Sequence, residues 1–435
     1  MALANSSAMP DPCLSVTDIF IYDYFIASSD YFIHKSSNNF ADRTNTLQCM
    51  RTLLEDKHVA IVGGGPGGLT LARLLQMKGI DVKVYERDVH KDIRHQGSTL
   101  DLHEGSGLEA LRRADLMNEF TENIRPNAGR FRIMDKNATI LLDEHASGSA
   151  HDETRPEIDR QALRNMLIDS LNPGTIVWDS HFLSMERKDE GWLLHFKNGN
   201  TVYAGFVIAA DGANSKIRPY ITDIKPIYSN ITIVEGNVYH AAKNAPNMWA
   251  LTSYGAGTVM ILGDNQSLSI NTKGDGTLSF YTGNVFPENW VSESAIDFND
   301  KEAVAAWFKK QFGSWHPMYQ ELFESDEVSI VPRPMYHFPL DQTWEPLPNL
   351  TMLGDAAHRM PPYAGEGVNM AMQDALELAE CLTSNKYKNT RDAVAAYESQ
   401  MQKRASEVTQ DTLNNTEMFH SDGALDKMVA MFSVQ

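Results

Sequence analysis

From residue 57 onward the chain alternates short apolar runs with glycine turns and amphipathic stretches. Residues 58–62 (HVAIV) form a continuous apolar run that predicts a buried strand. Residues 68–79 (GLTLARLLQMKG) carry helical spacing, and residues 82–86 (VKVYE) read as a second strand. Strand, turn, helix, strand is the order expected of a parallel sheet covered by helices. Clean alternation stops there. Residues 225–345 instead hold ITIVEGNVYH, GTVMILG, QSLSIN and TLSFYTGNV, separated by Asn, Gly and Asp turns, which predicts an antiparallel sheet. Strand and helix signals return in LTMLGDAAH and VNMAMQDALELAECL. The segment from residue 391 to about 419 then keeps helical spacing without glycine or proline.

The N-terminal residues 1–49 differ from all of this. They contain no glycine, and their aromatic stretch DIFIYDYFIASSDYFI is interrupted by Asp18, Asp23 and Asp30, so no single period runs through it. Met50 opens MRTLLEDKHVAIVGGGPGG like a natural start, and residues 1–49 are expected to be disordered or dispensable. A partner-binding or interfacial segment is the alternative.

Charge and composition narrow the function. The 435 residues carry 38 Lys and Arg against 57 Asp and Glu, a formal charge of −19, which argues against a broad grip on nucleic acid or anionic membrane and favours small-molecule chemistry. The three cysteines, Cys13, Cys49 and Cys381, form neither a CxxC nor a Cys/His cluster, so no disulfide framework or zinc site is indicated and a cytoplasmic location is expected. No apolar run reaches 18 residues and the first residues lack a basic n-region, so neither stable membrane insertion nor secretion is expected.

Gly63, Gly65 and Gly68 stand at GxGxxG spacing between the first strand and its helix. Gly63 suits the tight turn, Gly65 the approach of backbone to a diphosphate, and Gly68 close packing of helix on strand. Glu86 closes the next strand, 18 residues beyond Gly68, where a carboxylate can accept from both ribose hydroxyls of a dinucleotide. That acid repels a 2′-phosphate and favours FAD or NAD over NADP, although Arg87 beside it blurs the distinction. A ligand-free tight turn is the bland alternative.

Two later motifs bear on which dinucleotide. VIAADGANSKIRPY (207–220) is an apolar strand ending in Asp211-Gly212, with Ser215 and Arg218 following. LTMLGDAAHRMPPYAGEGVN (350–369) runs into Gly354-Asp355, Pro361-Pro362 and a helix from about Val368. Asp355 suits a ribityl hydroxyl, and the helix start from Gly367 to Asn369 suits an electron-rich flavin edge. Taken singly, Asp355 as a helix cap and Gly365/Gly367 as a plain loop remain open.

Together and in this order, the three motifs resemble those of the single-component flavoprotein monooxygenases, the class that includes para-hydroxybenzoate hydroxylase. The stretches VAIVGGGPGGLTLARLLQMKGIDVKVYERD, GSTLDLHEGSGLEALRRADL, PEIDRQALRNMLIDSL and GDAAHRMPPYAGEGVN look like the Tet(X)-type tetracycline monooxygenases, a branch of that class, from Met50 nearly to the C-terminus. The resemblance implies that Glu86, Arg87, Asp101, Arg160 and Asp355 contact FAD and that Arg94 contacts NADPH. Arg160 and Arg164, four apart, suit paired contacts to phosphate or flavin, with a salt-bridged helix face as the alternative. That branch uses a glutamine, an arginine and a histidine for substrate where Glu235, Thr258 and Ser279 stand here, whereas Asn271 is retained. Asp211 follows the wider class, since the branch often has Asn there.

The expected architecture is α/β. A discontinuous Rossmann-like FAD-binding domain covers 50–224, with inserted substrate-domain elements, and 346–385. An antiparallel-sheet substrate domain covers 225–345, and a C-terminal bridging helix and tail cover 386–435. Val394, Tyr397, Met401, Val408, Leu413 and Met418 form the stripe by which that helix braces both domains, and strict heptads for a dimer coiled coil are absent, so a monomer is expected. The expected activity is NADPH- and O2-dependent hydroxylation of a polycyclic or phenolic compound through a flavin hydroperoxide, with tetracycline inactivation as its sharpest form. NADPH has no second fingerprint of its own and is expected to bind transiently. Backbone amides from Gly365 to Asn369 are the candidates for the flavin pyrimidine edge, and Met360 and Tyr363, beside Pro361-Pro362, are candidates for the substrate cavity. His358 reads as a packed or capping residue, and neither a catalytic side chain nor a metal is assigned. The alternatives are an FAD-dependent reductase of a hydrophobic substrate and a nonenzymatic carrier on the same fold.

Overall fold

The structure, a computed structural model, describes residues 53–93, 98–144, 155–253 and 257–433. The expectations for residues 1–49 and for Arg94 lie outside the described residues.

Four mostly apolar strands and one short edge strand make a parallel sheet in the spatial order Leu350–Met352, Phe206–Ala209, Val59–Val62, Val82–Tyr85, Ile176–Val177. Val59–Val62 and Phe206–Ala209 are buried at every position, as strands covered on both faces must be. Helix Pro66–Met77 starts directly from the glycine turn, with Gly65 as its N-cap and proline in its first turn, where a missing N–H costs nothing. Leu69, Leu71, Ala72 and Leu75 of that helix join the sheet's core, which also receives Tyr397 and Met401 of the long helix Thr390–Phe419.

The second sheet has seven strands, in the order Val328–His337, Ile227–Val238, Leu278–Val285, Gln266–Thr272, Thr258–Gly263, Phe131–Asp135, Ile140–Asp143. It is antiparallel except where Thr258–Gly263 pairs in parallel with Phe131–Asp135, a strand supplied from earlier in the chain. Alternation divides its faces. Val234, Val238, Phe280, Leu268, Ile270, Val259 and Ile261 point to one side and meet Val304, Trp307, Phe308 and Phe323 in a second core. Helix Lys301–Gln311 supplies the first three of those partners. It is capped by Asp300, which accepts from the N–H groups of Glu302 and Ala303. The strand pattern of 225–345 did not reveal this helix, because its apolar residues serve the same core as the strands. Glu235, Asn237, Ser279, Tyr281 and Asn271 occupy the opposite face.

The C-terminal stripe differs from its expected composition. Val394, Tyr397 and Met401 are buried, but the burial then continues through Ala405, Thr409, Thr412 and Thr416 and not through Val408, Leu413 and Met418. Small residues let the helix lie close to its neighbours, and a threonine hydroxyl can be satisfied locally, as Thr416 is by the carbonyl of Thr412 at 2.7 Å.

Candidate cofactor and substrate site

Gly63 ends the first strand with φ +115°, and a Cβ placed there would lie 2.1 Å from the Ala210 carbonyl oxygen. At Gly68 a Cβ would lie 2.2 Å from the Gly63 oxygen, whereas at Gly65 it would meet nothing within 4 Å. The loop is thus closed on its sheet side and open in front. Glu86, 3% exposed, accepts from the Gly64 N–H at 2.6 Å through Oε2 and from the Asp88 N–H at 3.0 Å through Oε1. Arg87 is exposed beside it. Arg164 and Arg160 do not act as a pair. Arg164 is buried, donating to the carbonyls of Gly64 (3.2 Å) and Lys91 (3.0 Å) and to Asp88 (3.1 Å), so it braces the loop from behind. Arg160 opens helix Arg160–Asp169 with an exposed side chain.

The Asp211-Gly212 turn abuts the same loop, since the missing Gly63 Cβ would lie 3.0 Å from the Asp211 nitrogen. Asp211 Oδ2 accepts from the Lys216 N–H at 2.9 Å, while Oδ1 is buried with no partner among the described residues. Burial pushes this carboxyl above its ordinary value. Arg218, which the sequence marked only as a neighbour of the motif, fixes this arm to the next one. It donates to the carbonyls of Ala356 (3.0 Å) and Ala357 (2.9 Å) and to Gln342 (2.7 Å), with its guanidinium 3.5 Å from the Phe338 ring centroid. Burial pulls its pKa down to about 10.

Asp355 is the exposed first residue of helix Asp355–His358. His358 behind it is 2% exposed and salt-bridged to Asp374 at 2.6 Å, the packed histidine that the sequence favoured. Asp374 also accepts from the Gly354 N–H (2.8 Å) and from Arg404 (2.7 Å), and Arg404 reaches on to Glu377 at 2.6 Å. Burial opposes the His358 charge, and Asp374 outweighs it, so the imidazole is held above its ordinary value.

Helix Gly367–Thr383 begins at an exposed glycine next to Gly365, whose φ is +70°. The Asn369 side chain is engaged on both ends: its Oδ1 accepts from the His103 N–H at 2.9 Å and its Nδ2 donates to the Asp101 carbonyl at 3.0 Å. It stitches residues 101–103 to the helix start. Asp101 itself pairs with His103 at 2.9 Å and Arg155 at 3.2 Å. Burial raises its carboxyl, but these partners more than reverse the effect and hold it below its ordinary value.

On the polar face of the seven-stranded sheet, Glu235 is ion-paired with Arg333 of the neighbouring strand. Asn271 Oδ1 accepts from the Thr258 hydroxyl at 2.5 Å. Sequence reasoning missed Asn237, which accepts from Lys273 Nζ (2.7 Å) and the Ser279 hydroxyl (2.8 Å), although its period-two spacing from Glu235 placed it on the same face. Burial pushes the Tyr281 hydroxyl up to about 12 and draws the Lys273 ammonium down. Met360 is half-buried in the segment leading to Tyr363.

Tyr363 meets this face from the other side, since a Cβ on Gly283 would lie 2.6 Å from its hydroxyl. His420 Nδ1 faces the Asn265 carbonyl at 3.1 Å and so carries the ring proton, which leaves Nε2 to accept from the Tyr363 hydroxyl at 2.8 Å. Tyr363→Phe strands that nitrogen in a buried site and is expected to cost about 1–3 kcal/mol in chemical denaturation. An unchanged midpoint would dissolve the bridge.

Among the described residues no helix is long and apolar enough to cross a membrane, and no His/Cys/Asp/Glu group is arranged to hold a metal. Comparison with known proteins adds a family, two relatives by sequence and a likeness of fold. A family profile described as FAD binding domain matches residues 56–412. Monooxygenase asqM of Emericella nidulans is 28% identical over 87% of this chain and 99% of its own. The 6-hydroxynicotinate 3-monooxygenase of Pseudomonas fluorescens is 27% identical over 83% and 92%. Among solved structures, tetracycline destructase Tet(55) superposes with a TM-score of 0.68 at 17% identity, covering 87% of this chain and 95% of that one, a likeness of fold.

Proposed function

The chain belongs to the FAD binding domain family, and on that premise we propose that it is a monooxygenase that uses FAD, NADPH and O2 to hydroxylate a phenolic or polyketide-type ring compound. The observation that carries the cofactor reading is the open space before Gly65, in a loop whose preceding residues abut the buried carboxylate of Glu86 and the Asp211 turn with its partnerless Oδ1. A dinucleotide fits this donor set. Backbone N–H groups at the start of helix Pro66–Met77 would take the diphosphate. Glu86, which like any carboxylate accepts at about four sites, would take ribose hydroxyls alongside its two N–H partners. Exposed Asp355 suits the ribityl chain, and the bare helix start at Gly367 suits the pyrimidine edge. Arg87, Asp101 and Arg160 complete the proposed FAD shell, and Arg94 is the proposed NADPH contact.

Bound FAD would supply the chemistry that no side chain can, hydride acceptance from NADPH and activation of O2. The chain's own part is to hold that group, exclude water and orient the substrate. We assign orientation to the polar sheet face with Glu235, Asn237, Asn271 and Tyr281, which Tyr363 meets at Gly283, and keep Met360, three residues before Tyr363, as a candidate for the same cavity. On this reading residues 50–224 and 346–385 form the cofactor domain and 225–345 the substrate domain. The named relative that hydroxylates a hydroxylated ring favours an electron-rich aromatic substrate. Tetracycline is supported by likeness of fold and stands as one member of the panel to be tested.

The test is purification with FAD, followed by a screen of phenols, hydroxypyridines and tetracyclines for substrate-dependent NADPH oxidation and a product heavier by one oxygen atom. Substrate turnover that proceeds equally without O2 would replace the reading with an FAD-dependent reductase.

A further inference from the structure

His103 lies between two carboxylates that belong to different segments. Its Nε2 is 2.9 Å from Asp101 Oδ2, and its Nδ1 is 3.0 Å from Glu366 Oε1. An ionised carboxylate only accepts hydrogen bonds, so one at each ring nitrogen favours the doubly protonated imidazolium. Burial works against that charge, and the two carboxylates outweigh it, with the pKa pushed up to about 9. The other charged groups around the ring are few. Arg155 approaches from the solvent side, pairs with Asp101 at 3.2 Å and lies in hydrogen-bond contact with the ring's Nε2, so it competes with the ring for Asp101 and opposes the ring's charge. Glu157, opposite Asp101 in the two-stranded sheet, is pushed up to about 7, chiefly by burial, and Glu104 turns away to Arg112.

Glu366 stands between Gly365 and Gly367, at the N-cap of the helix whose start is read above as flavin-facing. Two different links therefore join this turn to residues 101–103. One is neutral and runs through the Asn369 amide, and the other is charged and runs through the His103 ring. Only the second changes with pH. A neutral imidazole donates through one nitrogen and would turn a lone pair toward the other carboxylate.

We propose that His103 is a positioning residue that clamps the Gly365–Gly367 turn against the Asp101 segment and thereby sets how tightly the flavin end of FAD is held and at what potential it is reduced. The clamp rests on the flavin reading of that turn. It transfers neither proton nor electron during turnover. Its effect is geometric, through the backbone amides it presents, and electrostatic, through one fixed positive charge beside them.

The experiment is FAD titration followed by flavin fluorescence, with the midpoint potential of the bound flavin, from about pH 8 to about pH 10. Wild type is expected to weaken by about tenfold across that range and its potential to fall as the positive charge is lost. His103→Gln is expected to bind about tenfold more weakly at the lower pH and to show no such step. Glu366→Gln removes one of the two carboxylates that hold the proton, so its step moves to lower pH. Thermal melts at each pH confirm that the variants are folded. His103→Gln with wild-type affinity, or with the same step, overturns the clamp. Wild type that takes up no FAD at any pH overturns instead the flavin reading on which the clamp rests.

Discussion

Gly63→Ala is expected to purify colourless, with FAD affinity reduced by at least about a hundredfold. Two costs combine at this position. The residue sits at φ +115°, which side-chain-bearing residues rarely adopt. The added methyl would also lie 2.1 Å from the Ala210 oxygen. Ala210 cannot retreat freely, because its N–H donates to the Val62 carbonyl at 2.8 Å and Gly63 is tied to the Tyr85 carbonyl at 2.9 Å. Relief must therefore come from the loop that would face the diphosphate, at a stability cost of about 3 kcal/mol or more. Gly65→Ala is the matched comparison. Its methyl meets nothing within 4 Å, so the melting temperature should hold while the ligand's approach is crowded. Flavin-to-protein absorbance ratios and melting curves on the two variants separate a fold defect from a binding defect. A yellow, fully loaded Gly63→Ala protein would remove the tight-turn account.

Asp374→Ala is expected to be the most destabilising single change outside the glycine loop. Its side chain is fully buried and holds His358, Arg404 and the Gly354 N–H together. Removing it leaves the buried His358 cation without its anion, takes one of the two carboxylates from half-buried Arg404 and orphans an N–H, a loss of about 3–5 kcal/mol. On a chain of this size that corresponds to a fall in melting temperature of about 3–6 °C, readable by calorimetry. The pH dependence has a definite sign. The Asp374 carboxyl is held below its ordinary 3.8: burial opposes this, and His358 and Arg404 overcome it. Its contribution is therefore present above pH 3.8 and lost as pH falls through the depressed value. His358 is held above its ordinary 6.5, so its contribution is complete below pH 6.5 and lost as pH rises through the elevated value. The gap between wild type and Asp374→Ala should be widest between pH 3.8 and 6.5 and should narrow on the alkaline side. A gap that widens with rising pH would show that the pair is not ionised as described.

Much of the architecture was legible in the chain because its signals are local. The strands at 59–62, 82–85, 206–209 and 350–352 are mostly apolar stretches that end in glycine or acidic turns, and each becomes a parallel strand buried at all positions but Lys83. Alternation likewise marked the antiparallel sheet, while Glu235 and Asn271 were placed on it by the resemblance to the Tet(X)-type branch. Partnerships between distant segments were not legible. Arg333 neutralises Glu235 from a strand nearly a hundred residues later, and Glu366 closes on His103 from the far end of the chain. Helical spacing put Arg160 and Arg164 on one face, yet depth differs along that face, so one is exposed and the other braces the glycine loop. The stripe of the long helix went astray for a related reason. Apolarity identifies residues that want burial, while close approach of two elements selects small ones, such as Ala405 and Thr412.

The strand order of the parallel sheet has a consequence for biosynthesis. Val59–Val62 lies at its centre, but the neighbour beyond Phe206–Ala209 is Leu350–Met352, which is followed directly by Gly354 and Asp355. Emerging from the ribosome, the polypeptide offers its glycine loop early and the opposite wall of the pocket only after some three hundred further residues have been translated. The Arg404 anchor comes later still. A nascent or prematurely terminated chain therefore has half a pocket and no means of retaining its ligand, so coloration of the product reports that translation ran past the last buttress.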